Sequence, residues 1–507
     1  MDTHGRRERS LQNTVVALLS EILVTMVGFL LPRAIISNYG SAANGLVTSL
    51  QQFIQYFTLV EGGLAGAALF ALYKPLAEKK EGQVRTILYS AKKMYRVSGG
   101  IYLGILVCFA FLYPCLVAET GFSYPEVVTL FLLIGLNGAT QLLFVGKYKI
   151  LLNATQNNRI SVAINSISTC LYSLILIVAS CFRLPIVAAV AMAVSAYILR
   201  SVAYFVAARK LFPQYGYEAT GEHYRFTGQK DVFIQQILSM VVLNCGTLVL
   251  SFTGRDMTEL SVYNVYNMVL TAVFLVAYCV DNGVAAAFGD LIARDDLPRL
   301  QQAYREFETL FQIFWTVLIS CVSVLYQPFM HIYAGGFTDA EYVRPTLCLW
   351  FSLLGGAWII RNQQSVPVSA AGRFRQMQRG NMIEAVLTVV LSLVGLYLYG
   401  LEGLVAGRAL AAVYRAVDLL WHNHRHVVKL PWHFTAVRIG GSVIVVLLMN
   451  GLAAALQRVW QVNGVIQWLV LAVGCFLTAT VGAVAMAFCT DYTVMEKWRK
   501  KLLSKLR

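Results

Sequence analysis

Glu61-Gly62-Gly63-Leu64-Ala65-Gly66-Ala67-Ala68 and, far along the chain, Asp281-Asn282-Gly283-Val284-Ala285-Ala286-Ala287-Phe288 decide how this protein is built. Each is a carboxylate followed by small residues, each lies in a long apolar run, and each precedes a basic segment. A second pair repeats the spacing. Ala154-Thr155-Gln156 leads through Arg159 to Asn165, and Ala370-Ala371-Gly372 leads through Arg375 to Asn381. The interval from Asn165 to Asn381 is nearly the interval from Glu61 to Asp281. Small residues are common in membrane helices, so either match alone is weak. Two matches in the same order at nearly one offset mark an internal repeat.

The runs around these stretches are too apolar for a soluble protein. The 507 residues are 58% hydrophobic and 13% charged, with mean hydropathy +0.62; soluble proteins carry about 25% charged residues. Segments 160–182 and 464–489 each hold about 20 residues with almost no charge, enough to cross a ~30 Å hydrocarbon core. Candidate spans fall near 14–37, 44–73, 95–116, 125–150, 160–182 and 185–208, then, after a polar stretch, near 232–253, 260–292, 305–330, 341–362, 381–400 and 402–422. Two more follow near 434–456 and 464–489. The expectation is an all-α polytopic membrane protein of about fourteen transmembrane helices. Six spans separate the repeated motifs, so the halves share one orientation, related by an axis along the membrane normal. The predicted organisation is a six-helix lobe over 1–212, a linker over 213–231, a second pseudo-symmetric six-helix lobe over 232–430 and a helix pair over 431–491. A basic amphipathic tail, 492–507, completes it.

The net charge of +15 does not point to nucleic acid, because no soluble stretch carries a basic face with interleaved aromatics. The cations sit in alternate short loops, among them Lys79-Lys80, Lys147 with Lys149, Arg209-Lys210, Arg294 with Arg299 and Arg499-Lys500-Lys501. The intervening loops hold only Arg183, Arg255, Arg344 and Arg458. By the positive-inside rule both termini are expected in the cytoplasm, with the chain in a bacterial inner membrane. In the tail, Val494, Trp498 and Leu502 share one helical face, which reads as a helix on the anionic leaflet or as a solvated charged tail. The N-terminus resembles a signal peptide but runs on through Leu31-Pro32-Arg33 without a small-residue cleavage site, so a retained first span is expected. The ten cysteines lie mostly in apolar spans with no metal-type spacing and read as small hydrophobes.

Polar groups in lipid are costly, so a stripe of them should face protein or a wet cavity. The second span carries Gln51, Gln55 and Thr58, with Glu61 one turn beyond. The eighth carries Asn267, Thr271, Tyr278 and Asp281. These stripes read either as the lining of a hydrophilic cavity or as hydrogen-bonding seams between neighbouring helices. Glu61 and Asp281 are candidate sites for a coupling H+ or Na+. Arg408 and Arg415, seven apart on one face of the twelfth span, read as an anion site or as structural partners of Glu384 or Asp418. Arg33, after Pro32, reads on its own as an interfacial snorkelling arginine.

Other motifs carry no chemistry. Gly62-Gly63-Leu64-Ala65-Gly66 follows no strand, and no P-loop lysine occurs. His422, His424 and His426 read as part of a basic, membrane-facing loop rather than a metal site. No catalytic residues, metal ligands or cofactor beyond a coupling ion are expected.

Pro32-Arg33-Ala34-Ile35-Ile36-Ser37-Asn38-Tyr39-Gly40, Asn44-Gly45-Leu46 and Leu59-Val60-Glu61-Gly62-Gly63-Leu64 resemble the start of polysaccharide flippases of the multidrug/oligosaccharidyl-lipid/polysaccharide exporter superfamily. Ser369-Ala370-Ala371-Gly372-Arg373-Phe374 and Tyr399-Gly400-Leu401-Glu402-Gly403-Leu404-Val405-Ala406-Gly407 resemble their second half. The resemblance implies two six-helix bundles in a V and a transporter, not an enzyme. Its cargo would be an undecaprenyl-pyrophosphate-linked glycan moved to the outer leaflet by alternating access, alongside membrane lipids and glycan polymerase or glycosyltransferase machinery. It also implies a pyrophosphate contact for Arg33, shared on the residue reading with Arg408 or Arg415. The lipid II flippase branch has fourteen helices, but this chain has amides and carboxylates in its second and eighth spans where that branch has arginines. The rivals are a cation-coupled multidrug exporter of the same superfamily, the lipid II flippase itself, and a membrane-embedded glycan polymerase or ligase.

Overall fold

The computed structural model describes residues 3–61, 63–117, 121–155, 157–215, 224, 229–253, 256–294, 296–372, 374–457, 460 and 462–506. Side chains are described for these except at 3–11, 14, 229–232, 277–287, 293, 374–375, 501–503 and 505–506. The chain order is α1 (Thr3–Tyr39), α2 (Ser41–Phe57), a 3-10 turn (Thr58–Glu61), α3 (Leu64–Ala77), α4 (Glu81–Leu116), α5 (Tyr124–Thr140), a π-helical turn (Gln141–Val145) and α6 (Gly146–Ala154). It continues with α7 (Asn158–Cys181), α8 (Ile186–Ala193), α9 (Ser195–Leu211), α10 (Gln229–Phe252), α11 (Met257–Ala293), α12 (Leu297–Ala334), α13 (Pro345–Ala370) and α14 (Phe374–His426). The last three are α15 (His433–Gln457), α16 (Val465–Thr490) and α17 (Tyr492–Leu506).

Helices sit at all fourteen expected positions. Among the described residues, eleven are long and apolar enough to cross a membrane, or twelve when α2 and α3 count as one bent span. Many large apolar side chains point outward, Ile466 at 78% and Leu448 at 68% exposed, as a lipid-facing belt requires. The chain is a multi-pass α-helical membrane protein.

The repeat reappears in the helix boundaries. α4 and α12 begin at Glu81 and Leu297, α6 and α13 end at Ala154 and Ala370, and α7 and α14 begin at Asn158 and Phe374. Every pair is separated by one and the same interval, the one that takes Asn165 to Asn381. One motif departs from the symmetry. α11 runs unbroken through Asp281 and Gly283, whereas its counterpart breaks after Phe57.

Residues divide into two compact units, Met1–Val265 and Tyr266–Arg507. α10 and the start of α11 therefore belong with the first unit, beyond the linker predicted at 213–231. Close packing explains the placement. The Gly45 backbone lies so near Met257 that a Cβ would come 2.0 Å from its carbonyl oxygen. Asn44 Nδ2 donates to Ser261 Oγ at 2.8 Å, and Ser49 and Ser251 hydroxyls meet at 2.7 Å. Also in the first unit, α4 lies against α5, the π-helical turn and α6 through Gly99, Gly135, Gly138 and Gly146, each facing a side chain that a Cβ would displace. Just before the π-helical turn, the Asn137 carbonyl, which already accepts the Gln141 N–H, takes a further donor. Arg200 Nη2 donates to it at 3.1 Å and to Thr140 Oγ1 at 3.0 Å.

In the second unit α12 is central, packing on α13, α15 and α16. α14 is two helices joined at Gly400, whose φ of 68° suits a residue without a side chain. The arms pack antiparallel at backbone distance. A Cβ on Gly395 would lie 2.0 Å from Gly403 O, and one on Gly407 2.3 Å from Leu391 O. The helix continues through His426, and His424 is buried at 4% exposure, so the reading of 422–426 as a membrane-facing loop is corrected.

Candidate functional site

The clearest polar site in the first unit is made by the break between α2 and α3. Glu61-Gly62-Gly63 cannot hold a helix well, because glycine gains little from helical order. The chain tightens into the 3-10 turn, Gly63 takes a left-handed φ of 71°, and α3 leaves at 42° to the preceding segment. Irregular backbone at membrane depth is tolerated only where protein or a wet cavity satisfies it. Here Ser98 Oγ donates to Val60 O at 3.3 Å and Thr58 Oγ1 to Gln55 O at 2.7 Å.

The break opens onto a cavity of about 630 Å³. Thr58, Leu59, Glu61, Gly63 and Ala65 line one side, and Gln235, Gln236, Ser239, Met240 and Leu243 of α10 line the other. Tyr95, 2% exposed and held against Gly146, donates its hydroxyl to the Glu61 carboxylate. A half-buried carboxylate with a tyrosine donor, amides opposite and unwound backbone beside it can take up a proton or a small cation. Gly63→Ala is expected to destabilise the unit by about 1–2 kcal/mol, the cost of a left-handed residue with a Cβ. Thermal unfolding in detergent reads it; an unchanged midpoint would mean that the turn is not left-handed.

Of the residues singled out from sequence, Thr58 and Glu61 line this cavity. Gln51 is half-buried on α2, and Gln55 is exposed, accepting from Gln52 Nε2 at 3.3 Å. In the second unit, Asn267 is half-buried and its carbonyl accepts from the exposed Thr271 at 2.8 Å. The side chains of Tyr278 and Asp281 lie outside the described residues. Arg33 is exposed on α1.

Arg408 and Arg415 are both buried. Arg415 pairs with Asp418, bonds Asn381 Oδ1 at 2.5 Å and lies 3.6 Å from Glu384. Arg361 of α13 shares Glu384, at 2.6 and 2.9 Å. Two guanidiniums and two carboxylates thus join α13 to both arms of α14. Sequence reading missed Arg361, which fell at the predicted end of its span, and Gln235 and Gln236. The paired amides in an otherwise apolar helix were the available signal.

No known family profile matches the chain, and no curated protein matches it in sequence. Solved structures do. It is similar to the lipid II flippase MurJ in an inward closed conformation, with TM-score 0.66 and 14% identity over 94% of this chain and 99% of that one. It is also similar to an inward-facing multidrug resistance MATE family transporter, with TM-score 0.61 and 12% identity over 81% and 94%. A third likeness is to the MATE multidrug transporter DinF-BH in complex with R6G, with TM-score 0.59 and 13% identity over 85% and 98%. The chain therefore shares the fold of these solved transporters.

Proposed function

We propose that this transporter-fold chain is a flippase, not an enzyme, carrying a polyprenyl-pyrophosphate-linked oligosaccharide from the cytoplasmic to the outer leaflet of a bacterial inner membrane by alternating access. The observation that carries the reading is the greater share of the chain, 94% against 81% to 85%, covered by the lipid flippase than by the drug transporters. The helices α15 and α16 beyond the two repeats fit that difference. Moving a glycan through hydrocarbon strips water from many hydroxyls at several kcal/mol each, and a polar cavity replaces that water.

Arg33 is the pyrophosphate candidate of choice. Arg415 already meets two carboxylates, so its part is to hold helices together. Arg33→Ala is expected to cut flipping in reconstituted vesicles by about tenfold to hundredfold, the worth of a hydrogen bond to a charged group, with folding intact. Wild-type transport by that variant would sink the role. Accumulation of a lipid-linked glycan on the cytoplasmic leaflet after deletion of the gene tests the cargo.

A second reading, a cation-coupled drug exporter, is favoured by Glu61 in its cavity. Drug efflux that collapses with the proton or sodium gradient and with Glu61→Gln would select it.

A further inference from the structure

At one end of the second unit a buried polar cluster ties α15 and the end of α16 to the helices before them. Glu308 (1% exposed) comes from α12, His424 from α14, and Thr435 and Arg438 (2% exposed) from α15; Asp491 follows α16. Arg438 donates from Nη1 to Glu308 and from Nη2 to Asp491. One guanidinium meets two carboxylates, which leaves the cluster one positive charge short. A buried uncompensated charge is strongly unfavourable.

The hydrogen bonds say where that charge lies. His424 Nδ1 is 3.0 Å from the Leu430 carbonyl, which only accepts, so Nδ1 carries a hydrogen. Nε2 is 2.9 Å from Thr435 Oγ1. Thr435 has one hydroxyl hydrogen and donates it to Glu308 Oε1, so its oxygen faces Nε2 as an acceptor. Tyr304 repeats the pattern. Its hydroxyl donates to Gln364 Oε1 at 3.0 Å, receives Asn423 Nδ2 at 3.2 Å, and turns its oxygen to Nε2 at 3.4 Å. Both ring nitrogens then donate, and a histidine with two N–H groups is a cation.

We propose that this cluster is a proton-binding site, with His424 held as an imidazolium that balances the second carboxylate and secures the terminal helices to the lobe. The charged and titratable groups facing the ring are Tyr304 and Glu308 from α12 and, through Glu308, Arg438 from α15 and Asp491. α13 offers the neutral Gln364. His422 and His426, on the same helix, face each other with their rings tilted by 48° and centroids 4.8 Å apart. Loss of the proton leaves a net negative charge between α12, α15 and the end of α16.

The test is ¹⁵N spectroscopy of histidine rings in the full-length protein, with the six other histidines, His4, His223, His331, His422, His426 and His433, replaced by glutamine. At a pH about one unit above the ordinary histidine value of ~6.5, both His424 nitrogens should still read as protonated. Adding Glu308→Gln should return the ring to one protonated nitrogen at that pH. If the multiple replacement does not fold, the labelled wild-type chain decides by whether one histidine stays doubly protonated there. A His424 ring with a single protonated nitrogen at that pH, or a wild-type protein in which no histidine ring is doubly protonated there, overturns the proposal.

Discussion

Arg438→Ala is expected to lower the stability of the purified protein by about 3–5 kcal/mol, the cost of breaking a buried ion pair from one side. Glu308, 1% exposed, would keep only the neutral Thr435 hydroxyl as a donor. Asp491 is better placed, since its side chain is 12% exposed and its other oxygen accepts from Thr493 Oγ1 at 2.8 Å. Most of the loss therefore belongs to Glu308. The double variant Glu308→Leu with Arg438→Met should recover most of it, because an apolar replacement of both partners leaves no stranded charge. Thermal unfolding in detergent measures both. A single variant within about 1 kcal/mol of wild type, the range of a surface pair, would mean that the site is wet.

Gly395→Leu is expected to cost at least ~3 kcal/mol, the upper end for overpacking. A Cβ there meets the Gly403 carbonyl at 2.0 Å, and Gly403 faces Gly395 O at the same distance. The obstacle is backbone on both sides, so the two arms of α14 must part. Parting them also strains the Glu384–Arg415 contact nearer the other end of the same pair. Folded yield and monodispersity on size exclusion report the damage. Gly104→Leu is the control, since nothing lies within 4 Å of a Cβ at that position. Equal yields would refute the close packing of the hairpin.

Much of the fold was legible because it is written in hydropathy and in a repeat. Fourteen apolar runs fell on helices, and the spacing of the small-residue motifs returned as the spacing of helix boundaries, Glu81 to Leu297 and Asn158 to Phe374. The break at Glu61-Gly62-Gly63 was visible as letters but not as geometry. Glycines after a carboxylate serve close packing as readily as a turn, and at Asp281-Asn282-Gly283 the helix indeed continues. Glu308 and Arg438 were not legible at all. They stand 130 residues apart, Arg438 at the predicted edge of a span, and no local period reports such a pair. His424 misled for a related reason. Alternating histidines beside arginine look like a loop until the burial of one ring is known. Arg415 was open between two readings, and the nearness of Glu384 and Asp418 could be suspected from one helix face but not measured.

The π-helical turn at Gln141–Val145 acts as a phase shifter. One surplus residue in a helix of 3.6 per turn rotates everything after it by roughly 100°. The segment before it meets α2, α4, α8 and α9, and the segment after it adds α3 and α7 while keeping α4 and α9. A straight helix offers one set of faces along its whole length, whereas this span offers two. Arg200 reaches across from α9 to the Asn137 carbonyl and the Thr140 hydroxyl, in the last turn before the shift.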